Sequence, residues 1–435
     1  MEKILYPDIS KRKEAVKRPN KPETELGDIV RRIFPAIKQD GDKALIKYTL
    51  EFDGVALESI EVSREAIAGS GNHLPEELKS AISQAAANIR KFHESQRETP
   101  VTVETVKGVR CWRENRPIER VGIYVPGGSA PLFSTVLMLA IPAKIAGCKE
   151  IILCTPPAGT GGIHPAILYA AYLVGIDRIF SVGGIQAIGA MAYGTETVPG
   201  VSKIFGPGNQ YVTMAKQIAQ MSAGVAIDMP AGPSEALIIA DETCNPAYVA
   251  ADLLSQAEHG ADSQVMLLSD SETVADRVIG EINIQIEALA RKDIAAMSLE
   301  NSRIIVMNSI DECISLCNEY APEHLILACR DARLAAGQII NAGSVFIGNY
   351  SCESAGDYAS GTNHTLPTNG YARNYSGVSL DSFIKKITFQ ELTAEGIANI
   401  GPAVEIMAAA EKLDAHKNAV SIRLKDLENS QNTGK

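Results

Sequence analysis

The chain has 435 residues, of which 46% are hydrophobic and 21% charged. That is close to the average soluble globular protein and unlike a disordered polyelectrolyte. At about 150 residues per domain, the length accommodates two or three domains with full cores. A formal net charge of −11 excludes the basic face that nucleic-acid phosphates require.

The amino terminus, Met1-Glu2-Lys3-Ile4-Leu5-Tyr6-Pro7-Asp8, lacks the apolar stretch of a signal peptide. The longest apolar run, from Val136 toward Ile145, is interrupted by Pro142 and Lys144 and is too short to cross a membrane. The eight cysteines include no C-x-x-C pair. We read them as thiols of a cytoplasmic protein rather than as disulfides.

Residues 1–110 read as a mostly helical region. Glu25 to Lys38, Asp42 to Glu51 and Glu76 to Gln96 carry helical spacing, although Pro35 should kink or shorten the first. Ala56 to Val62 reads as a short strand. Between 111 and 232 the texture changes to strand, Gly/Pro-rich turn and helix, repeated four times. The strands are Val121 to Val125, Glu150 to Cys154, Arg178 to Val182 and Lys203 to Phe205. This alternation predicts a parallel α/β sheet with helices on both faces. A similar series fills 233–378, with strands at Glu235 to Ile239, Gln264 to Leu268, Arg303 to Val306, Leu325 to Ala328 and Ser344 to Ile347. The expected fold is therefore α/β, two doubly wound Rossmann-like halves. A helical extension over 379–435 follows, with a polar tail from Glu428 expected to be disordered.

Ligands of doubly wound sheets bind at the carboxyl ends of the strands. Three glycine-rich turns lie there: Pro126-Gly127-Gly128-Ser129, Gly183-Gly184-Ile185-Gln186 and Gly206-Pro207-Gly208-Asn209. Each precedes a helix whose N-terminus favours an anion. None is a full G-x-G-x-x-G, so ordinary turn chemistry competes with a nucleotide site. Asn245-Pro246 opens a helix as N-cap and first-turn proline. Gln256 and His259 share a face near its end. They suit a metal, or a histidine meeting the dipole of a helix C-terminus. Glu323-His324 precedes a strand, and the two side chains point differently, which suits two proton transfers around one substrate or a solvated loop pair. Asp357 and His364 lie in a polar, glycine-rich loop after a strand, a usual place for function. Glu411 and His416 are five apart, about 140° around an ideal helix, so either the helix breaks near Leu413-Asp414 or only one of them serves the site. His73, His93 and His164 carry no such company. A nitrogen and oxygen ligand set of Gln, His, Asp and His suits zinc foremost.

Seven separated segments resemble histidinol dehydrogenases. They are Gly122 to Gly128, Gly206 to Asn209, Asp228 to Glu235, Gln256 to Gly260, Ala321 to Leu325, Gly356 to Thr368, and Leu413-Asp414-Ala415-His416 through Arg423. The resemblance implies oxidation of L-histidinol to L-histidine through a bound histidinal, the last step of histidine biosynthesis, with two NAD and one zinc per subunit. It implies Gln256, His259, Asp357 and His416 as zinc ligands, His324 as general base and Glu323 as the activator of water. Ser234, His364 and Glu411 would hold the substrate together with the zinc and catalytic residues. Tyr124, Gln186 and Asn209 would touch NAD. It further implies an intertwined homodimer in which Glu411 and His416 reach the partner's site. Cys352, before Glu353-Ser354, stands where the family usually has proline, and no metal role is expected for it. The competing readings are a dehydrogenase of another polar alcohol on the same scaffold and a non-catalytic metal-binding protein.

Overall fold

The computed structural model describes residues 1–435 apart from 20–22, 128–130, 160–161 and 434–435. Gly128 and Ser129 of the first glycine-rich turn thus lie outside the described residues. The chain divides into two compact units, one of residues 1–96 and 118–383 and the other of 97–117 and 384–435.

The first unit opens with β1 (Glu2–Leu5), α1 (Ile9–Ala15), α2 (Glu23–Asp40), α3 (Asp42–Asp53), α4 (Arg64–Gly69) and α5 (Glu76–Glu94). Pro35 sits inside α2. The helix nonetheless continues, because Val30, Ile33, Phe34 and Ile37 are all buried on one face. At roughly 1.5–3 kcal/mol each, they outweigh an interior proline costing about 3 kcal/mol. The expected strand at Ala56 to Val62 reduces to an isolated bridge between Glu61 and Phe180. β1, missed from the sequence, lies along the later strand Arg303–Val306.

In the numbering of the whole chain, β2 (Val103–Val106) and β3 (Val109–Pro117) come next and belong to the second unit. The first sheet then comprises β4 (Arg120–Tyr124), β5 (Glu150–Thr155), β6 (Arg178–Ser181), β7 (Lys203–Phe205) and β8 (Ala226–Ile227). Its helices are α6 (Phe133–Ala146), α7 (Pro165–Leu173), α8 (Gly184–Tyr193) and α9 (Gln210–Ala223). The order is β6-β5-β4-β7-β8, all parallel, with the topological switch between β4 and β7. α6 is buried almost all round, which explains the long apolar run in a helix that crosses no membrane. Among the described residues, no helix is long and apolar enough to cross one.

The second sheet comprises β9 (Glu235–Ala240), β10 (Gln264–Ser269), β11 (Arg303–Val306), β12 (His324–Ala328) and β13 (Ser344–Ile347). α10 (Pro246–Ala257), α11 (Glu272–Gln285), α12 (Lys292–Glu300), α13 (Ile310–Tyr320) and α14 (Ala332–Ala336) connect them, and α15 (Glu353–Tyr358) follows. The order is β1-β11-β10-β9-β12-β13, again all parallel, with the switch between β9 and β12. Every residue of β9, β10 and β12 is buried, as a sheet covered on both faces demands.

The second unit is an antiparallel sheet, β14-β3-β2, where β14 is Ile384–Leu392, with α16 (Ala394–Ala410) and α17 (Asp414–Thr433). The expected helices formed, but β2, β3 and β14 were missed, because their burial is only partial and their hydrophobic alternation correspondingly weak. The tail is helical from Glu428 to Thr433 rather than disordered. All eight cysteines are free thiols.

The glycine turns are tightly built. A Cβ on Gly127 or on Gly183 would come within 2.4 Å of Pro156, which follows β5. Gly206 has φ +130°, and a Cβ there would lie 2.0 Å from the Tyr124 carbonyl oxygen. Gly206→Ala should therefore cost at least about 2 kcal/mol through strain and clash together, seen as a lower thermal midpoint. An unchanged midpoint would show that this turn can relax.

Candidate active site

One crevice of the first unit joins the carboxyl end of the first sheet to the amino end of the second. Carboxyl-end turns of the first sheet, through Pro126, Gly127, Gly208 and Asn209, face Ser234 and His259 across a space of about 260 Å³. A smaller recess of about 80 Å³ runs from Gly206 to Ser234, Glu323 and His364. The carboxyl-end rule thus holds for the glycine turns, whereas the acid–imidazole pair sits at the amino end of β12.

Each side chain is delivered by local structure. The Asn245 side chain accepts from Ala247 N–H at 3.0 Å and caps α10, with Pro246 in its first turn. That helix ends by presenting Gln256, fully buried, and then His259, exposed. α15 places Glu353 and Asp357 one turn apart on a common face. Gly356 between them lets α15 close on Phe346 of β13, since a Cβ would come within 2.5 Å of that ring. The Phe346 ring in turn stacks on His324, centroids 6.0 Å apart.

Glu323 Oε2 accepts from the Glu235 N–H at 2.9 Å and from Gln256 Nε2 at 3.4 Å. His324 Nδ1 lies 3.1 Å from Gln256 Nε2 and 3.3 Å from the Glu235 carbonyl oxygen. His324 Nε2 faces Asp357 Oδ1 at 3.6 Å. His364 Nδ1 lies 2.9 Å from the Asp357 carbonyl oxygen, and its Nε2 is 3.2 Å from Thr135 Oγ1. Arg18 braces this floor. It pairs with Glu235 at 2.5 Å and donates to the Tyr320 carbonyl at 2.9 Å, just ahead of Ala321, held at φ +57°.

Among the described residues, four buried atoms here have no hydrogen-bond partner: Gln256 Oε1, His324 Nε2, Glu353 Oε2 and Asp357 Oδ1. Ligand atoms of His259, Glu353 and Asp357 lie within 4.8 Å of one another. Unpaired oxygen acceptors beside an imidazole are a donor set for a divalent cation. Of the residues expected as ligands, His259 and Asp357 are brought together with Glu353, and Gln256 adjoins them through His324. Cys352 is the N-cap residue of α15 and is not in the group.

The charges are crowded. Burial pushes Glu353 up to about 8, with Asp357, Glu323 and Asp252 adding to the rise and His324 opposing it. Burial pushes Asp252, one turn before Gln256, up to about 7. Burial alone would lower His324, but Glu353, Glu323 and Asp357 together hold it well above the usual imidazole value. Asp357 is desolvated too, yet His324 keeps it below the ordinary carboxylate range. Burial lowers His364.

Of the expected cofactor contacts, Tyr124 is buried and its hydroxyl accepts from the Gly184 N–H at 3.1 Å. Gln186 is buried and donates to Asp53 at 3.3 Å. Asn209 is exposed and caps α9, accepting from Tyr211 and Val212 N–H. Glu411 and His416 are exposed residues of the second unit, on either side of a break between α16 and α17 where Lys412 takes φ +60°. The helix break expected from their spacing is there. His93, dismissed from the sequence, is fully buried and lies 3.4 Å from Asn363, next to His364 in the loop. Glu353, Asp252 and Arg18 were also missed. The i,i+4 spacing of Glu353 and Asp357 was the available signal for the first.

A family model described as histidinol dehydrogenase matches residues 16–424. Histidinol dehydrogenase of Bacteroides fragilis is 57% identical over 427 residues, covering 98% of this chain and 100% of the relative. The chain belongs to the histidinol dehydrogenase family. The Bacteroides thetaiotaomicron relative is 58% identical with the same coverage. The crystal structure of histidinol dehydrogenase from Elizabethkingia anophelis has a TM-score of 0.96 and 60% identity, covering 98% of this chain and 99% of that one. The expected α/β fold and family are thereby borne out.

The burial of Asp252 has a sign that can be measured. The fold raises Asp252 from 3.8 to about 7, so it disfavours the ionised form. On this group's account, the metal-free protein loses stability as pH rises from about 4 to about 7, by about 1–3 kcal/mol after allowing for partial screening. In chelator, Asp252→Asn should show a smaller fall in thermal midpoint between pH 5 and pH 8 than the parent. An equal fall would contradict the assignment.

Proposed function

We propose that the protein oxidises L-histidinol to L-histidine, the last step of histidine biosynthesis, in two successive hydride transfers to NAD with one zinc per subunit. The observation that carries this reading is the joining of a buried acid–imidazole pair to three gathered metal-type ligands, opposite glycine turns suited to a dinucleotide. Gln256, His259 and Asp357 would hold the zinc with the partner subunit's His416, in an intertwined homodimer to which Glu411 also contributes. The orphaned oxygens of Gln256 and Asp357 support this set. When bound, the cation would orient the substrate and offset the carboxylate field that keeps His324 protonated.

The chain's own residues then divide the work. Neutral His324 would take the alcohol proton at Nε2, the ring nitrogen that faces Asp357 Oδ1 at 3.6 Å without a hydrogen bond, as the carbinol hydride leaves for the first NAD. Glu323 is fixed through Oε2 by the Glu235 N–H, leaving the carboxylate to draw a proton from water as it adds to the bound aldehyde. The His324 imidazolium would return its proton to the aldehyde oxygen as the water adds, giving the gem-diol. His324, neutral again, would then take a hydroxyl proton of the gem-diol as its hydride leaves for the second NAD, giving the carboxylic acid. Ser234 and His364 line the recess on the substrate side. Tyr124, Gln186 and Asn209 would contact NAD.

His324→Ala should slow both oxidations by about 10²–10⁴-fold, the usual worth of a general base. Glu323→Ala should slow mainly the second. Single-turnover assays started separately from histidinol and from histidinal distinguish the two. Undiminished aldehyde oxidation in Glu323→Ala would remove that residue's role.

A further inference from the structure

Dinucleotide-binding sheets carry an acidic side chain beyond the second strand that takes the adenosine ribose 2′-OH. Here the second strand of the first sheet, β5, ends in Thr155-Pro156-Pro157, with no carboxylate. An acid arrives at this edge from elsewhere. Asp53 is the last residue of α3, which Gly54 terminates in the left-handed conformation (φ +69°). Its Oδ2 accepts from Gln186 Nε2 at 3.3 Å, in the first turn of α8 directly after β6.

Two acceptors thus sit side by side. Gln186 is only 1% exposed, and its Oε1 has no hydrogen-bond partner among the described residues. That buried oxygen borders Gly184, at φ +59°, whose added Cβ would lie 3.0 Å from it. Asp53 is half-buried, and burial raises its carboxyl above the usual range. A ligand offering two adjacent O–H donors would satisfy both, and a cis-diol is such a group. A phosphate ester at the same place would present acceptors to acceptors and a dianion to a carboxylate.

Resting on the NAD site described above, we propose that Asp53 binds the adenosine ribose diol and determines the preference for NAD over NADP. It does so from the helical region preceding the sheet, in place of the missing acid at the end of β5.

Calorimetric titration of the full-length, zinc-loaded protein with NAD and with NADP tests this, alongside steady-state rates with both. The parent should bind NAD at least about 100-fold more tightly than NADP. Asp53→Asn keeps the size of the side chain and can still bond to Gln186. It should narrow that ratio at least tenfold, with NADP binding tighter than in the parent. Asp53→Ser should narrow it in the same direction. A ratio unchanged within about twofold, with both dinucleotides weakened alike, would mean that Asp53 only supports the fold, and the proposal would fall. If the parent neither binds NAD nor yields NADH from histidinol, the functional reading itself fails and this assignment with it. NADH production with an unshifted ratio overturns the Asp53 assignment alone.

Discussion

One buried imidazole surrounded by carboxyl groups is the constraint around which the first unit is organised. Glu323, Glu353 and Asp357 all act on His324, and Asp252 adds to the crowding at Glu353. Two ionised carboxylates at the 4.8 Å limit of the His259–Glu353–Asp357 group repel by roughly 3–4 kcal/mol at an effective dielectric near 20. Left to itself, the cluster responds by holding protons: Glu353 is pushed up to about 8 and His324 stays charged. A protonated imidazole is no general base. The arrangement makes sense if a divalent cation shares the site, since the field that resists folding without a cation is one that would draw a cation in.

The fold keeps that cluster in place through backbone rather than bulk. Glu235 opens β9, and its N–H and carbonyl anchor Glu323 and His324 at the amino end of β12. Its side chain is held by Arg18 and accepts from the Asn369 N–H at 2.9 Å, which fixes the end of the loop that carries His364. On the other side of the crevice, the buried Lys216–Asp228 pair grips the Gly206 peptide from both ends. Asp228 accepts its N–H, and Lys216 donates to its carbonyl oxygen at 2.9 Å. Two rigid edges therefore face each other, which suits a hydride transfer that tolerates little misplacement.

Much of this was legible in the amino-acid order. The central strands of both parallel sheets are short apolar runs bounded by Gly, Pro or polar residues, and they are buried on both faces, so their signal is strong. The Asn245-Pro246 start, the Gln256–His259 spacing and the Glu323-His324 pair all describe local chemistry that the structure keeps. What escaped was non-local or half-exposed. β1 has only four residues and finds its partner some 300 positions away at β11. β2, β3 and β14 are partly solvent-facing. Pro35 was overruled by tertiary burial of α2. Arg18 and Asp53 act through partners far away in sequence, so no spacing rule reaches them. Glu353 lay in view beside Cys352, but only the fold shows that it is buried among other acids.

The most direct measurement is the yield of NADH per L-histidinol consumed, before and after chelation and again after zinc is restored. A yield of two, abolished by chelation and recovered with zinc, is the expected result. A yield of one, or turnover indifferent to the chelator, would contradict a four-electron oxidation built on a metal-dependent acid–imidazole site.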